Sequence, residues 1–96
     1  MLHLVSQSLT DSTILRRFAP GDDIVFLENA IFALAKKGGL AAELTLLLGH
    51  NPLFALVDDM AVRGMTVEEL VDGIAVVDYA GLVRLAVKNP VIQSWY

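Results

Sequence analysis

Four short apolar runs recur along the chain and are separated by polar, glycine-containing or helix-like segments. The runs are rich in β-branched and aliphatic side chains, which is typical of strands covered on both faces. They predict four parallel strands, at Leu2–Val5, Ile24–Leu27, Leu53–Val57 and Ile74–Val77. Because strand and helix signals alternate, the pattern predicts a three-layer α/β/α sandwich built on a mostly parallel sheet of four to five strands.

The strongest helix signal follows the last of these runs. Asp78 is placed to accept hydrogen bonds from the first free N–H groups of a helix, so we predict it as the N-cap. Arg84 and Lys88 are expected to face water, and Pro90 ends the helix. An apolar stripe at one-sided helical spacing is expected to pack on the sheet, and it consists of Tyr79, Leu82, Val83, Ala86 and Val87.

Weaker signals predict five further helical segments. The first carries Ile14, Leu15 and Phe18, the second is Ala30–Lys37 with Asn29 as its cap, and the third is Leu40–Leu48. The fourth is Asp59–Arg63, capped by Asp58 and stopped by Gly64, and the fifth is a helical turn opened by a capping box of Thr66 and Glu69. Val91–Tyr96 is too short for a helix. Its branched and aromatic side chains predict a terminal edge strand held down by Trp95.

The composition adds an expectation about surfaces. The 96 residues predict one small domain, which buries only about 65% of its unfolded surface, yet 55% of them are hydrophobic and the mean hydropathy is +0.59. Part of this apolar surplus is expected to face a partner. The longest glycine-free apolar run, Ala30–Ala35, is far shorter than the ~20 residues that span a bilayer. Met1–Val5 lacks the features of a signal peptide, so we expect a cytoplasmic protein with no membrane contact.

Candidate chemistry is sparse. The formal net charge of −4 argues against nucleic-acid binding, which needs clustered Lys and Arg. No cysteine is present, which excludes disulfides, thiolate metal sites and a cysteine nucleophile. We interpret His3 as a core or interface residue and His50 as an exposed turn residue, because each stands alone. The sequence therefore predicts no catalytic residues, no metal ligands and no cofactor.

Paired carboxylates do not change this expectation. General acid/base catalysis needs two carboxyl groups that converge on one site, whereas adjacent acids at turns and helix starts usually cap or face solvent. We give the second interpretation to all three pairs, Asp22-Asp23, Asp58-Asp59 and Glu68-Glu69.

The hydroxyl-rich loop Ser6–Thr13 leaves one binding function open. A loop between a strand and a helix is where doubly wound folds bind anions. Here the loop has no glycine, and Asp11 would repel an anion, so capping and turn roles are favoured. A stand-alone homo-oligomer that binds a small anion through Ser6–Ser12 remains an alternative.

Segments spread over nearly the whole chain together form a fairly specific combination. They are Met1-Leu2-His3, the Gly21-Asp22 turn with Glu28-Asn29, Ala55 to Asp59 with Ala61 and Arg63-Gly64, Val77-Asp78-Tyr79 through Val83-Arg84-Leu85 with Lys88 and Pro90, and Gln93-Ser94-Trp95. This combination resembles the TusB/DsrH family, and the resemblance is weakest at Lys36–Pro52. The resemblance implies a DsrE/DsrF/DsrH-like fold with a strand order of 4-3-2-1-5.

The resemblance also implies partners and a pathway. Members of this family are the smallest of three related subunits in a dimer of heterotrimers, so TusC/DsrF-like and TusD/DsrE-like partners are implied. The TusB branch serves a relay that passes persulfide sulfur towards 2-thiolation of the tRNA wobble uridine. The DsrH branch accompanies dissimilatory sulfur oxidation.

The missing cysteine bears on the role within the family. The principal sulfur-carrying cysteine lies on the TusD/DsrE-like subunit, and some DsrH proteins have another in the first helix, at a place that matches Ile14. Because a persulfide requires a thiolate, the resemblance implies a non-catalytic, TusB-like subunit, with a DsrH-like one as the alternative.

The aromatic C-terminus is the predicted partner interface. Chain termini fray unless something holds them, and Trp and Tyr are enriched where interfaces concentrate their binding energy. We therefore expect Trp95 and Tyr96, with neighbouring apolar helix residues, to contact a partner subunit. Packing of Trp95 onto its own sheet is the alternative.

Overall fold

A computed structural model of the chain describes residues 1–96 and contains one sheet of five strands. All neighbouring strands are parallel and lie in the order β4-β3-β2-β1-β5, so the predicted α/β sandwich, its parallel strands and the order implied by the family resemblance are confirmed. The strands are β1 at Leu2–Val5, β2 at Asp23–Phe26, β3 at Leu53–Leu56, β4 at Ala75–Val77 and β5 at Ile92–Trp95.

The connections contain three α-helices and three short 3₁₀ segments. The α-helices are α1 at Ala41–Leu48, α2 at Val57–Val62 and α3 at Tyr79–Lys88, and the 3₁₀ segments are Ile14–Arg17, Glu28–Leu34 and Val67–Glu69. None of these helices is long and apolar enough to cross a membrane.

The direction of the connections places the helices unequally on the two faces of the sheet. From β1 to β4 each strand is added on the same side of its predecessor, and the chain then returns across the sheet to β5. Parallel crossovers are right-handed, so the connections up to β4 lie on one face and α3, which makes the return, lies on the other. We call these the first face and the second face.

The main core lies on the first face. Alternate side chains of β1, β2 and β3, among them Val5, Ile24, Phe26 and Leu53, are fully buried there. They pack with apolar residues of four helical segments, and with Leu70, which follows the 3₁₀ segment Val67–Glu69. The residues from the four segments are Leu15, Ile31, Leu34, Leu44 and Met60. Four of the six helical segments therefore contribute side chains to one core.

The second face is covered by α3 alone. Leu2, Val25 and Leu56 are fully buried on this face, in the middle of the sheet. Five strands spaced by about 4.8 Å make a sheet roughly 20 Å wide between its outer strands, and a single helix is only about 10 Å across. Both margins of this face are consequently poorly covered: Ala75 on β4 is exposed, and Ile92 on β5 is exposed as well.

The prediction that the last apolar run is covered on both faces is wrong. β4 is an edge strand, and its three residues are exposed or half-buried. Only Ile74, just before the strand, is buried. The apolar composition of this run suggests a central strand, but β4 has a neighbouring strand on one side only.

Two predicted helix caps are also wrong. Asn29 does not cap a helix, because the 3₁₀ segment already begins at Glu28 and the Asn29 side chain accepts hydrogen bonds from Arg63 instead. The segment ends at Leu34, since Ala35 forms an isolated antiparallel bridge with Leu70. Asp58 lies inside α2, which begins directly after β3 at Val57 without a side-chain cap.

The other cap predictions hold. The Thr66 N–H donates to Glu69 Oε1 at 3.0 Å, as the capping box predicts. Gly64 follows α2 with a φ of +68°, a conformation that favours glycine. Asp78 caps α3: its Oδ1 accepts from the Gly81 N–H at 2.7 Å. The start of α3 is therefore fixed by a side chain that the sequence identifies.

Candidate functional site

The outward side of α3 is apolar. Tyr79, Val83 and Val87 are spaced four residues apart, and we call these three residues the α3 crest. Their exposed fractions are 56%, 59% and 82%. The sequence predicts that the crest residues pack on the sheet together with Leu82 and Ala86, and for the three crest residues that prediction is wrong. Gly81 is buried, and Leu82, Leu85 and Ala86 are half-buried.

Contacts at both ends of α3 fix this orientation. At its start, Gly81 is buried, and a Cβ placed there would lie 3.3 Å from Cβ of Val77, so the missing side chain lets the first turn pack closely on the chain leaving β4. At its end, the buried carboxylate of Asp23 accepts from Asn89 Nδ2 at 3.0 Å and from Lys88 Nζ at 3.4 Å. These contacts hold the helix on the sheet, and the crest points to solvent.

The cationic residue beside the crest has no partner within the chain. Arg84 is exposed and makes neither a hydrogen bond nor an ion pair, although the chain as a whole is acidic. Lys88 lies on the same side of the helix, and most of its side chain is exposed despite the contact with Asp23. The crest is thus an apolar strip with positive charge along one side.

A separate polar network joins the two ends of the chain on the first face. The Trp95 indole N–H donates to Nδ1 of the buried His3 at 3.1 Å. Because Nδ1 accepts, Nε2 carries the proton of the neutral ring and donates to Asp22 Oδ2 at 2.8 Å. The terminal amine of Met1 reaches the other oxygen of the same carboxylate at 3.3 Å. These contacts tie β5 to β1.

The turn that presents Asp22 is itself held by a buried amide. Asn51 Nδ2 donates to the carbonyl of Ala19 at 2.7 Å and to the carbonyl of Asp22 at 3.0 Å. The sequence marks Asn51 only as part of a turn, because the two carbonyls that it binds lie 32 and 29 residues earlier in the chain. No buried side-chain polar atom of the chain lacks a partner.

The network predicts a pH dependence of stability. The hydrogen bond from His3, aided by the Met1 amine, lowers the pKa of Asp22 below its usual value of 3.8. The unfolded chain therefore binds the proton first, so the stability from this group is present above about pH 4 and is lost as pH falls through the lower folded pKa. Urea unfolding followed by circular dichroism is expected to show this loss.

Asp22→Asn is the matched variant for this measurement, because its side-chain oxygen still accepts from His3 while the charge is gone. We expect it to cost about 1 kcal/mol at pH 7 and little at pH 2.5. A difference between the two proteins that stays constant over this range would contradict the assignment.

Trp95 and Tyr96 lie in different environments. Trp95 is half-buried and packs edge-on against Phe18, with the ring centres 6.1 Å apart. The guanidinium of Arg17 lies 5.9 Å from the centre of the indole. Tyr96 is 89% exposed. The predicted terminal edge strand is confirmed, since β5 pairs with β1 at the border of the sheet.

Three backbone N–H groups of the Ser6–Thr13 loop donate within the chain. The N–H groups of Ser6 and Gln7 donate to the carbonyl of Trp95 at 2.9 and 3.4 Å. The Thr13 N–H donates to Asp11, and hydrogen bonds from the Thr13 side chain and backbone lower the pKa of Asp11, which keeps a negative charge in the loop. A 300 Å³ cleft lies between this loop and Gly38-Gly39, and no charged side chain lines it. These features do not favour anion binding.

The remaining candidate residues do not form a common site. Ile14 packs against the core of the first face. His50 is exposed, as predicted, and lies in a surface cleft with Arg16 and Glu43. Asp22 and Asp23 point to opposite faces of the sheet, and Asp59 accepts the Glu28 N–H. No three His, Cys, Asp or Glu side chains lie close enough together to hold a metal ion.

Comparison with known proteins identifies the family. Residues 5–91 match the family model described as DsrH like protein. The chain belongs to the TusB/DsrH family. The chain is 34% identical to Protein TusB of Escherichia coli K12 over 98 aligned positions, which cover 99% of this chain and 100% of that protein. Protein TusB of Pectobacterium parmentieri is 33% identical with the same coverage.

A solved structure supports the fold. A protein of unknown function from Methanobacterium thermoautotrophicum superposes with a TM-score of 0.77, covering 97% of this chain and 95% of that one, at 14% sequence identity. At this identity the similarity concerns the fold alone. The TusB/DsrH chain shares its architecture with that protein from end to end.

Proposed function

We propose that this TusB/DsrH chain is a non-catalytic subunit of a cytoplasmic sulfur relay. The observation that carries the proposal is its similarity to TusB proteins over the full length of both chains. The absence of cysteine supports it, because a chain without a thiol relies on another subunit to hold a persulfide. The exposed α3 crest supports it as well, since a subunit of an assembly needs a surface for its partners.

The proposed partners are a TusC/DsrF-like and a TusD/DsrE-like subunit, joined with this chain in a dimer of heterotrimers. The proposed destination of the sulfur is the 2-position of the tRNA wobble uridine. The family model is described as DsrH like, which keeps a DsrH-like role in sulfur oxidation as the second candidate. Ile14 favours the TusB-like role, because the family resemblance matches it with a position at which some DsrH proteins have cysteine.

Co-expression tests the assembly. The tagged chain is produced together with the TusC-like and TusD-like proteins of the same organism, and the purified material is analysed by native mass spectrometry. A stable complex that contains all three chains in equal number is expected. If the tagged chain is recovered free of both partners, the proposal fails.

Nucleoside analysis of tRNA from a strain that lacks this chain distinguishes the two pathways. Loss of 2-thiouridine derivatives from the nucleoside digest, with recovery on complementation, is expected for the TusB-like role. Unchanged thiolation together with impaired oxidation of a reduced sulfur compound would favour the DsrH-like role instead.

The absence of thiols predicts how the isolated chain reacts with a persulfide donor. No mass increase of one sulfur atom is expected in the intact-mass spectrum, because no residue offers a thiolate. The TusD-like subunit, treated in parallel, is the positive control and is expected to gain that mass. A reducible adduct on this chain would contradict the non-catalytic role.

We also propose that the C-terminus takes part in partner contact. Tyr96 lies beyond the end of β5 and is almost fully exposed. The preceding residue, Trp95, is anchored by its contacts with His3 and Phe18. Tyr96 is therefore the member of this pair that is free to bind a partner, while Trp95 holds it in place. In the assembled complex Tyr96→Ser is expected to weaken association without changing the stability of the chain.

A further inference from the structure

The second face of the sheet has an outer layer over its middle only. One ten-residue helix covers it, and the apolar side chains at its margins are exposed or half-buried, among them Val77 on β4 and Ile92 on β5. The α3 crest adds three exposed apolar side chains at the centre of this surface. Apolar side chains are therefore accessible at both margins of this face and on the helix between them.

Helix geometry puts the crest in the middle of the exposed side of α3. Successive residues turn by about 100°, so Val83 and Val87 lie opposite the buried positions Gly81 and Leu85. Arg84 lies to one side of the crest. A surface helix of a free-standing protein normally has charged residues in this outward position. Here the outward position is apolar, which is the pattern of a helix that is buried on assembly.

The positive charge beside the crest argues against a second copy of this chain as the occupant. In an antiparallel two-fold pair of α3 helices centred on Val83, equivalent sides of the two helices meet. The two Arg84 residues would then lie within about 3 Å of one another along the helix axis, on the same side. A parallel pair would align like ends of two helix dipoles. A different protein with carboxylates at this position avoids both conflicts.

We propose that the α3 crest is the docking site for a different subunit, which contributes an apolar segment bordered by Asp or Glu side chains next to Arg84. This inference rests on the proposed function, because the occupant is one of the relay partners. The crest alone is smaller than the roughly 800 Å² that each side of a stable interface usually contributes, so the partner also covers a margin of the second face.

The test uses the full-length chain assembled with the TusC-like and TusD-like subunits. Val83→Glu places a charge at the centre of the crest, and affinity measured by titration of the labelled chain into the partner subunits is expected to fall at least tenfold. Val67→Glu is the matched control: Val67 is 55% exposed and lies on the 3₁₀ segment of the first face. Its affinity is expected to stay within twofold of the wild type.

The charge is tested separately with Arg84→Glu. We expect at least tenfold weaker association at low ionic strength and a smaller difference at high ionic strength, because salt screens the repulsion from the partner's carboxylates. Thermal unfolding followed by circular dichroism checks that each variant is folded, and all three positions are exposed, so the melting temperatures are expected to agree with that of the wild type.

Each result supports or overturns the inference. If the wild-type chain fails to assemble with the partner subunits, both the proposed function and this docking site are wrong. If the wild-type chain assembles and Val83→Glu binds equally well, only the docking site is wrong. If sedimentation velocity shows that the isolated wild-type chain is a dimer and that Val83→Glu makes it a monomer, then a second copy covers the crest and the inference of a different subunit is wrong.

Discussion

Removal of Ser94–Tyr96 is expected to destabilise the chain by about 3 kcal/mol, which is a large part of the 5–15 kcal/mol typical of a domain. The deletion shortens β5 and removes the carbonyl of Trp95 that accepts from Ser6. It also removes the indole that packs on Phe18 and donates to His3. Chemical denaturation in urea at pH 7 measures the loss as a lower midpoint.

Two single changes separate the contributions to this loss. Deletion of Tyr96 alone is expected to change the free energy of unfolding by less than about 0.5 kcal/mol, because its side chain contacts solvent. Trp95→Phe keeps an aromatic ring against Phe18 but leaves Nδ1 of the buried His3 without a donor, which costs about 1–3 kcal/mol. If the truncated chain unfolds at the wild-type midpoint, β5 is not docked as described.

The same loss of stability makes this truncation an ambiguous test of partner binding. A chain that has lost Ser94–Tyr96 fails to assemble if Trp95 contacts a partner, and it fails equally if β5 no longer pairs with β1. Tyr96→Ser avoids the ambiguity, because it leaves β5 and the indole in place. The role of the C-terminus in assembly is therefore tested at Tyr96.

The strands were predictable because each apolar run is short, branched and ended by a turn or capping residue. All five observed strands overlap the predicted ranges, and the differences are one residue at an end. Such shifts are expected, since hydrogen bonding at the end of a strand depends on the neighbouring strand rather than on the local sequence. The Asp78 cap was predictable for a related reason, because the capped N–H belongs to a residue three positions away.

The orientation of α3 was not predictable from its own pattern. Apolar spacing identifies a stripe, but it does not tell whether the stripe meets the chain's own sheet or another protein. Here two members of the predicted stripe, Leu82 and Ala86, are half-buried, while the other three, which form the crest, are exposed. The surplus of apolar residues in the composition indicated that such a surface exists, but gave no position for it.

The polar network was hidden for a different reason. His3, Asp22, Asn51 and Trp95 are far apart in sequence, and each contact depends on the register of the strands that brings the residues together. The acidic pair Asp22-Asp23 illustrates this point. Its two neighbouring carboxylates bind partners on opposite faces of the sheet, one at the N-terminus of the chain and one at the end of α3.

Asn51→Ala is expected to lower the free energy of unfolding by about 2–3 kcal/mol. The buried amide donates two hydrogen bonds to carbonyls of the turn before β2, and alanine leaves both carbonyls without this donor. The same turn presents Asp22 to His3, so its loosening weakens a second contact. Urea unfolding at pH 7 measures the change. His50→Ala, at the exposed neighbouring position, is the control and is expected to stay within about 0.5 kcal/mol of the wild type.

A double-mutant cycle shows whether Asn51 acts through Asp22. If the amide holds the turn that positions the carboxylate, the loss caused by Asp22→Asn becomes smaller in the Asn51→Ala background, with a coupling free energy of at least about 0.5 kcal/mol. The pH dependence of unfolding between pH 4 and pH 2.5 is expected to flatten in Asn51→Ala for the same reason. Additive losses and an unchanged pH dependence would mean that Asn51 stabilises the turn near Ala19 independently of the contact between Asp22 and His3.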